Sequence, residues 1–597
     1  MPKTLVRIFL DAVDRRPDGP LFMRKNSMGW EELIGRRALA DVEGFALGLR
    51  GLGVKPGDRV ALLAENRYEW AVSDLAILGL GALTVPIYPT LTAQQTRHIL
   101  EDSGAATVIV STPAQLDKVH QILDALPAVT AVVAMEPTPP VSGRTRSFAS
   151  VLEDGAARRA KDPGAYRASA EAIRPDDLAT VIYTSGTTGE PKGAMLTHAN
   201  VGSNVESGMR VVDLSTHERT LSFLPLCHIL ERMAGQFCML ESGVIIAYAQ
   251  SIDTLVADAM KVKPTVLIMV PRVLEKVYAA SMDKARTASL VQRLLFFWGI
   301  GAGSKAARLR FAGRRPGPWL ALQAWIGRTL VGSKVRARLG GRVRLVISGA
   351  APLAPKVMEF LFAIGIPDCE GYGLTETSPV ICLNPPGRQK PGAVGPPLPG
   401  VEVRIGEEGE ILTRGPNVMR GYFRNDAATA AALRDGWFHT GDVGHLDPDG
   451  YLVITDRLKD LLVTAGGKKV APQPLEGQLK RSKWISEAVM LGDKRPYCIC
   501  LLVPNFAHLE LRARERGWTH DSRRELLAHP QVVARYQREI DKLNEHLAPF
   551  ETIKRFALLD RDLSQEAGEL TPTLKVRRRI VTDKFHDLIE SLYANGA

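Results

Sequence analysis

The stretch YTSGTTGEPKGAMLTH, residues 183–198, follows the apolar run DLATVIYT and decides how the rest of the chain is read. A strand that runs into glycines, hydroxyls and a lysine suits phosphate. Thr184, Ser185, Thr187 and Thr188 offer hydroxyls, Gly186 and Gly189 let backbone N–H groups approach an anion, and Lys192 adds a point charge. It is not the common P-loop, in which glycine and lysine are followed directly by Ser or Thr at the start of a helix. Here Lys192 is followed by Gly193. A Gly-rich turn alone could be an ordinary flexible loop, but the ten-residue string TSGTTGEPKG is far more specific.

Outward from this loop the chain alternates. GVKPGDRVALLAEN reads as a turn and buried strand, EWAVSDLAILGLGA as a helix, LTVPIYP as a strand, TAQQTRHILEDSG as a helix and AATVIVS as a strand. That rhythm predicts an α/β fold with a parallel sheet flanked by helices, and it recurs at PTVLIMVP and RVRLVISGAAP. Residues 136–170 are rich in Pro, Gly, Ser and Arg and read as a loop-rich connection. From about 395 to 455 short strands and Gly-rich turns predict a β-rich subdomain. A shorter α/β mixture follows Lys459 and ends in the basic helix KVRRRIVTDKFHDLIESL.

The 597 residues allow roughly four folding units. Six scattered cysteines show no zinc-ligand spacing, so free thiols in the cytosol are the simplest reading. The N-terminal LVRIFLDAV is broken by Arg7 and Asp11 and is no signal peptide. The longest apolar runs reach about ten residues, and a spanning helix needs about 20.

The net charge of +11 is concentrated. Between Lys305 and Arg344 stand eleven basic residues and no acidic one; without them, 65 basic residues face 65 acidic ones. Phe296, Phe297, Trp298, Phe311, Trp319 and Trp325 interleave with this charge. The combination suits the surface of an anionic membrane. The other readings are a solvated loop, a helix docked on the body, or a patch for nucleic acid or CoA phosphates, and no nucleic-acid motif accompanies it.

TSGTTGEPKG resembles the signature of the adenylate-forming superfamily. The resemblance continues in order through LPLCHILER, ISGAAPL, GYGLTETSP, GWFHTGDVG, DRLKDLLVTAGGKKV and GELTPTLKVRR, over nearly the whole chain. With PIYPTLT and Leu574 before the last lysine, where many relatives have Gly, it looks like the long-chain fatty acyl-CoA synthetase branch. The resemblance implies a large N-terminal domain, residues 1–458, of flanked, mostly parallel sheets. This would include the β-rich subdomain and a basic aromatic segment at about 290–344. A small mobile α+β C-terminal domain, residues 459–597, would carry the catalytic lysine.

The same resemblance assigns roles. Residues 184–189, Lys192 and Thr375 would hold ATP phosphates. Gly349, Ala350, Tyr372 and Gly373 would line the adenine, and Asp442 and Arg457 the ribose. Glu376 would hold Mg²⁺, a hard ion usually bound by one or two carboxylates plus phosphate oxygens. His228 would lie near the acyl carboxylate. Arg232 stands where some bacterial relatives place a tryptophan that gates the acyl tunnel. Lys459 would be the hinge, and Gly466, Gly467 and Lys468 would face CoA. Lys575 would stabilise charge as one anion attacks another; a fatty carboxylate is already ionised near neutral pH and needs no base.

The implied reaction is activation of a long-chain fatty acid with MgATP, through acyl-AMP, to acyl-CoA, releasing pyrophosphate and AMP. The enzyme would be cytoplasmic, peripheral at a membrane through residues 305–344, and compatible with a homodimer. Rival readings are a fatty acyl-AMP ligase with a non-CoA acceptor, a non-catalytic lipid-binding scaffold, and a P-loop NTPase.

Overall fold

The computed structural model describes residues 2–137, 143–184, 191–249, 251, 254–458, 460–571 and 576–594. The βαβ rhythm builds two eight-stranded sheets. In one, the order is Gly421–Tyr422, Lys192–Thr197, Leu178–Thr184, Leu83–Ile87, Arg59–Leu63, Thr107–Val110, Ala131–Ala134 and Thr145–Ser147. The last six are mutually parallel and the first two close the edge antiparallel. In the other, six parallel strands (Asp368–Gly373, Leu345–Ser348, Val266–Met269, Arg219–Ser222, Ile245–Tyr248 and Pro20–Asn26) are flanked by antiparallel edges. The interior strands are continuous apolar runs, such as VLIM at 266–269, because helices cover both faces.

A third, antiparallel sheet lies in residues 402–457 and contains Trp437–Leu446 and Leu452–Arg457. One buried core reaches to Leu452 and a separate one begins at Leu462. The second core is built on Ile485–Leu491, Cys498–Pro504 and Ile553–Leu558, with helices packed against them.

Three expectations change. Residues 136–170 are mostly helical where described, with helices Phe148–Lys161 and Ala165–Glu171. The small residues that suggested a loop let two helices touch: a Cβ on Gly155 would lie 1.6 Å from the Gly44 carbonyl oxygen. Gly421–Tyr422 leaves the β-rich region and pairs with Lys192–Thr197. The basic C-terminal helix is two helices, Arg578–Lys584 and His586–Ala594. All six cysteines are free and buried. No helix among the described residues is long and apolar enough to cross a membrane.

Candidate active site

The opening loop joins two strands of one hairpin, Leu178–Thr184 and Lys192–Thr197. Thr184 pairs with Lys192, and its hydroxyl donates to the Lys192 carbonyl at 3.4 Å. Ser185, Gly186, Thr187, Thr188 and Gly189 lie outside the described residues. A P-loop would place a helix after the lysine; this chain places a strand there, and Gly193 is part of it. A Cβ on Gly193 would lie 2.6 Å from Val181 Cγ1 and 3.1 Å from the Tyr183 ring. Gly193→Ser, which restores P-loop order, is therefore expected to destabilise the protein by about 1–3 kcal/mol. Denaturant unfolding checks this, and an unchanged midpoint would mean that the strand has room.

The pairing of Gly421–Tyr422 with this strand links two distant motifs. Phe423 N–H donates to the Gly193 carbonyl at 2.7 Å, and Arg420 N–H to Met195 at 3.0 Å. The Lys192 ammonium lies 5.3 Å from the centre of the Tyr422 ring, and the Tyr422 hydroxyl donates to Glu376 Oε1 at 2.9 Å. Burial, and then the Glu376 carboxylate, push the Tyr422 phenol upward, so it stays a donor. Glu376 is 9% exposed, in the short 3₁₀ turn Thr375–Thr377 just beyond strand Asp368–Gly373. Its carbonyl accepts from Met419 N–H at 2.8 Å, and Asn417 donates to the Thr377 carbonyl at 2.9 Å. Thus Lys192, Tyr422 and Glu376 form one line from the loop to the carboxylate.

A second line crosses the antiparallel sheet. Asp442 and Arg457 face each other in register. Arg457 Nε donates to Asp442 Oδ1 and the Tyr372 hydroxyl to Oδ2, both at 2.7 Å. Each carboxylate oxygen has a second lone pair with which to accept a ribose hydroxyl. Burial, and next the Asp442 charge, raise the Tyr372 phenol well above its ordinary value.

Beside this lies the turn after strand Leu345–Ser348. Gly349 crosses closely over strand Asp368–Gly373: a Cβ there would meet the Gly371 carbonyl oxygen at 3.2 Å. Ala350 has φ 69°, a left-handed conformation that costs an L-residue about 1–2 kcal/mol. Glu370 accepts Leu353 N–H at 2.8 Å and so holds the turn from behind; burial pushes its carboxyl up to about 8. Gly373 admits no side chain, since its Cβ would lie 1.7 Å from the Pro379 carbonyl oxygen.

His228 sits at a chain reversal between the two sheets. Its Nδ1 accepts Leu230 N–H at 3.2 Å, which leaves the neutral ring's proton on Nε2. Asn66, just beyond strand Arg59–Leu63, braces the approach to it. Its amide donates to the Leu224 carbonyl at 2.5 Å and accepts from Leu226 N–H at 2.9 Å.

Arg232, expected as an acyl gate, lies in a buried cluster of polar side chains. It is 1% exposed, and two of its nitrogens reach Asp74 at 2.9 and 2.5 Å while a third donates to Thr180 at 2.8 Å. Thr84 and Gln236 complete the Asp74 carboxylate at 2.7 and 3.2 Å. Removing one partner would leave a buried charge uncompensated, at about 3–5 kcal/mol. The cluster ties the helical segment Glu231–Phe237 to helix Tyr68–Gly79 and to strands Leu83–Ile87 and Leu178–Thr184 of one sheet.

Lys459 and Lys575 lie outside the described residues, and their flanks are tied down. Leu570 and Val576 form an antiparallel bridge, and Arg578 donates to Glu476 Oε1 at 2.6 Å and to the Met490 carbonyl. Arg578 is therefore held within the C-terminal unit and is no free member of a basic tail. Gly466, Gly467 and Lys468 form an exposed hairpin turn; Gly467 has φ 73°, and Thr464 N–H donates to the Lys468 carbonyl at 2.9 Å.

Tyr422, Asn66, Asp74 and Thr180 were not singled out from sequence. Asn66 had a signal, since it ends a predicted parallel strand, where ligand sites gather. Tyr422 had none, because its partner strand lies over 200 residues away.

The large unit thus carries two lines of paired side chains, Lys192–Tyr422–Glu376 on the antiparallel edge of one sheet and Tyr372–Asp442–Arg457 across the antiparallel sheet, and a small second unit follows it in the chain. The chain belongs to the AMP-binding enzyme family: residues 9–423 match the AMP-binding enzyme model and residues 459–597 its C-terminal domain model. It is 38% identical over 589 residues to the long-chain-fatty-acid–CoA ligase FadD15 of Mycobacterium bovis, covering 97% of this chain and 95% of that protein. It is 32% identical over 624 residues to long-chain-fatty-acid–CoA ligase 1 of Homo sapiens, covering 99% and 86%. The ATP-bound crystal structure of MatB from Rhodopseudomonas palustris shares the fold with a TM-score of 0.69 and 25% identity, covering 98% of this chain and 100% of that one.

Proposed function

We propose that this enzyme activates a long-chain fatty acid with ATP to an acyl-adenylate and transfers the acyl group to CoA. The observation that carries the reading is the pair of lines Lys192–Tyr422–Glu376 and Tyr372–Asp442–Arg457, whose members Tyr372 and Glu376 belong to one short motif. One ends in a carboxylate beside a phosphate loop, the other in a carboxylate suited to two ribose hydroxyls. The full-length likeness to fatty-acid–CoA ligases supports the substrate class.

In the first step a carboxylate oxygen attacks the α-phosphorus of ATP, and the α–β bond breaks with pyrophosphate leaving. Lys192, Thr184, Thr375, the hydroxyls of Ser185, Thr187 and Thr188, and the backbone N–H groups of Gly186 and Gly189 hold the β- and γ-phosphates. Gly349, Ala350, Tyr372 and Gly373 seat the adenine, and Asp442 and Arg457 fix the ribose. Glu376 has the donor chemistry for Mg²⁺: one buried carboxylate, its orientation set by Tyr422, with the remaining ligands from phosphate and water. Such an ion supplies charge neutralisation between nucleotide and carboxylate. Lys575 places a cation at the same point, and His228 faces the acyl carboxylate.

In the second step the CoA sulfur attacks the acyl carbonyl and AMP leaves. Residues 459–597 rotate about Lys459, withdrawing Lys575 and presenting Gly466, Gly467 and Lys468 to the pantetheine arm; few residues need change for such a motion. A further partner of the enzyme is an anionic membrane surface.

AMP release from ATP and palmitate, measured with and without CoA, tests the reading. It is expected to turn over continuously only with CoA. Equal turnover with a carrier protein or amine in place of CoA would favour the acyl-AMP ligase alternative.

A further inference from the structure

The basic aromatic segment folds as a helical hairpin, Leu290–Phe311 and Pro318–Gly327. It is anchored by small residues. A Cβ on Gly327 would lie 2.7 Å from Gly299 Cα, and one on Gly303 would lie 2.6 Å from Ala363 Cβ on helix Pro355–Ala363. Ahead of Gly299 the first helix leaves the body. Leu290, Val291 and Leu294 are 61%, 66% and 61% exposed, and Leu295, Phe297 and Trp298 exceed 40%. The second helix adds Trp319, Leu322 and Trp325, the first at 70%. Within 290–298 only Phe296 is half-buried against the core, and Gln292 and Arg293 are the polar positions; the other six are apolar and exposed, the form expected of turns that meet another apolar phase.

The charge around them is of one sign. No acidic residue stands between Asp283 and Glu359. Arg308 is tied to Glu359, Arg344 to Glu218, and Arg336 to the Ile364 carbonyl. Arg293, Lys305, Arg310, Arg314, Arg315, Arg328 and Lys334 are exposed and make no ion pair among the described residues.

We propose that this hairpin docks into the surface of an anionic lipid bilayer. The 290–298 turns and Trp319, Leu322 and Trp325 enter the headgroup–acyl boundary, and the seven basic side chains meet lipid phosphates. Charge complementarity selects this occupant. A second copy meeting the hairpin at a two-fold contact would bring the same cationic surface against itself. The docking stands on geometry of its own; only its purpose, access to membrane-partitioned acid, rests on the proposed function.

Flotation of the full-length enzyme with phosphatidylcholine vesicles, with and without phosphatidylglycerol, tests it. The wild type is expected to float with the anionic vesicles and to detach in ~1 M salt. Arg314→Gln with Arg315→Gln is expected to weaken partitioning about 30-fold, roughly fivefold for each residue. Leu294→Glu with Trp298→Glu is expected to abolish flotation, with unfolding curves and AMP release on a water-soluble acid unchanged. Wild type left at the bottom with anionic vesicles, or L294E/W298E floating as wild type does, would overturn the proposal. So would a wild-type dimer that those substitutions dissociate without altering flotation, which would assign the face to a second copy. A wild type that floats but releases no AMP would refute the activity and leave the docking standing.

Discussion

Lys575→Ala is expected to slow acyl-adenylate formation by about 10²–10³-fold, the usual cost of losing one group aimed at developing charge. The reason lies in the reactants. A fatty carboxylate is ionised far below neutral pH, so nucleophilicity is not the obstacle. The obstacle is bringing one anion against the phosphate of another, which a fixed cation relieves. The loss should appear in kcat for adenylation with little change in the KM for ATP, because the lysine acts where charge shifts in the transition state. CoA acylation from preformed acyl-adenylate should be nearly unaffected, since the proposed rotation would withdraw the lysine. Rapid-quench measurement of the two half-reactions separates these outcomes, and equal loss in both would mean that the substitution damages the fold.

Glu376→Gln is expected to be as costly for a different reason. Glutamine keeps an oxygen that can accept from Tyr422, so the hydrogen bond seen at 2.9 Å can persist and the fold with it. What disappears is the negative charge, and with it the anionic ligand proposed for Mg²⁺. Adenylation should fall about 10²–10³-fold, and the Mg²⁺ concentration for half-maximal rate should rise. A variant with unchanged Mg²⁺ dependence would remove Glu376 from the metal site and leave it as Tyr422's acceptor only.

Much of the site was legible because its residues sit in short contiguous motifs. Gly349–Ala350 and Tyr372–Glu376 follow strands directly, so local sequence carries both the element and the site. Asp442 and Arg457 lie in separate motifs, yet a short antiparallel connection brings them into register. What sequence did not carry are relations across sheets. Tyr422 reads as part of the β-rich run, and only the pairing with Lys192–Thr197 turns it toward Glu376. Arg232 reads as a helix residue near the acyl end. Its buried contacts are with Asp74, 158 residues away, and with Thr180 in the facing sheet. The Pro, Gly, Ser and Arg of residues 136–170 looked like loop composition, yet close helix packing selects glycine as loops do, as at Gly155 against Gly44. The basic segment was visible in composition alone. That it forms a projecting hairpin, with its apolar turns ahead of the charge, required the structure.

The central claim is that the fatty carboxylate attacks the α-phosphorus of ATP. Palmitate labelled with oxygen-18 in both carboxyl oxygens follows the bond directly. During CoA-dependent turnover the AMP should carry one labelled oxygen in its phosphate, left behind when the thiol displaces it, and the pyrophosphate should carry none. Unlabelled AMP, or label in orthophosphate with ADP as the nucleotide product, would contradict the account.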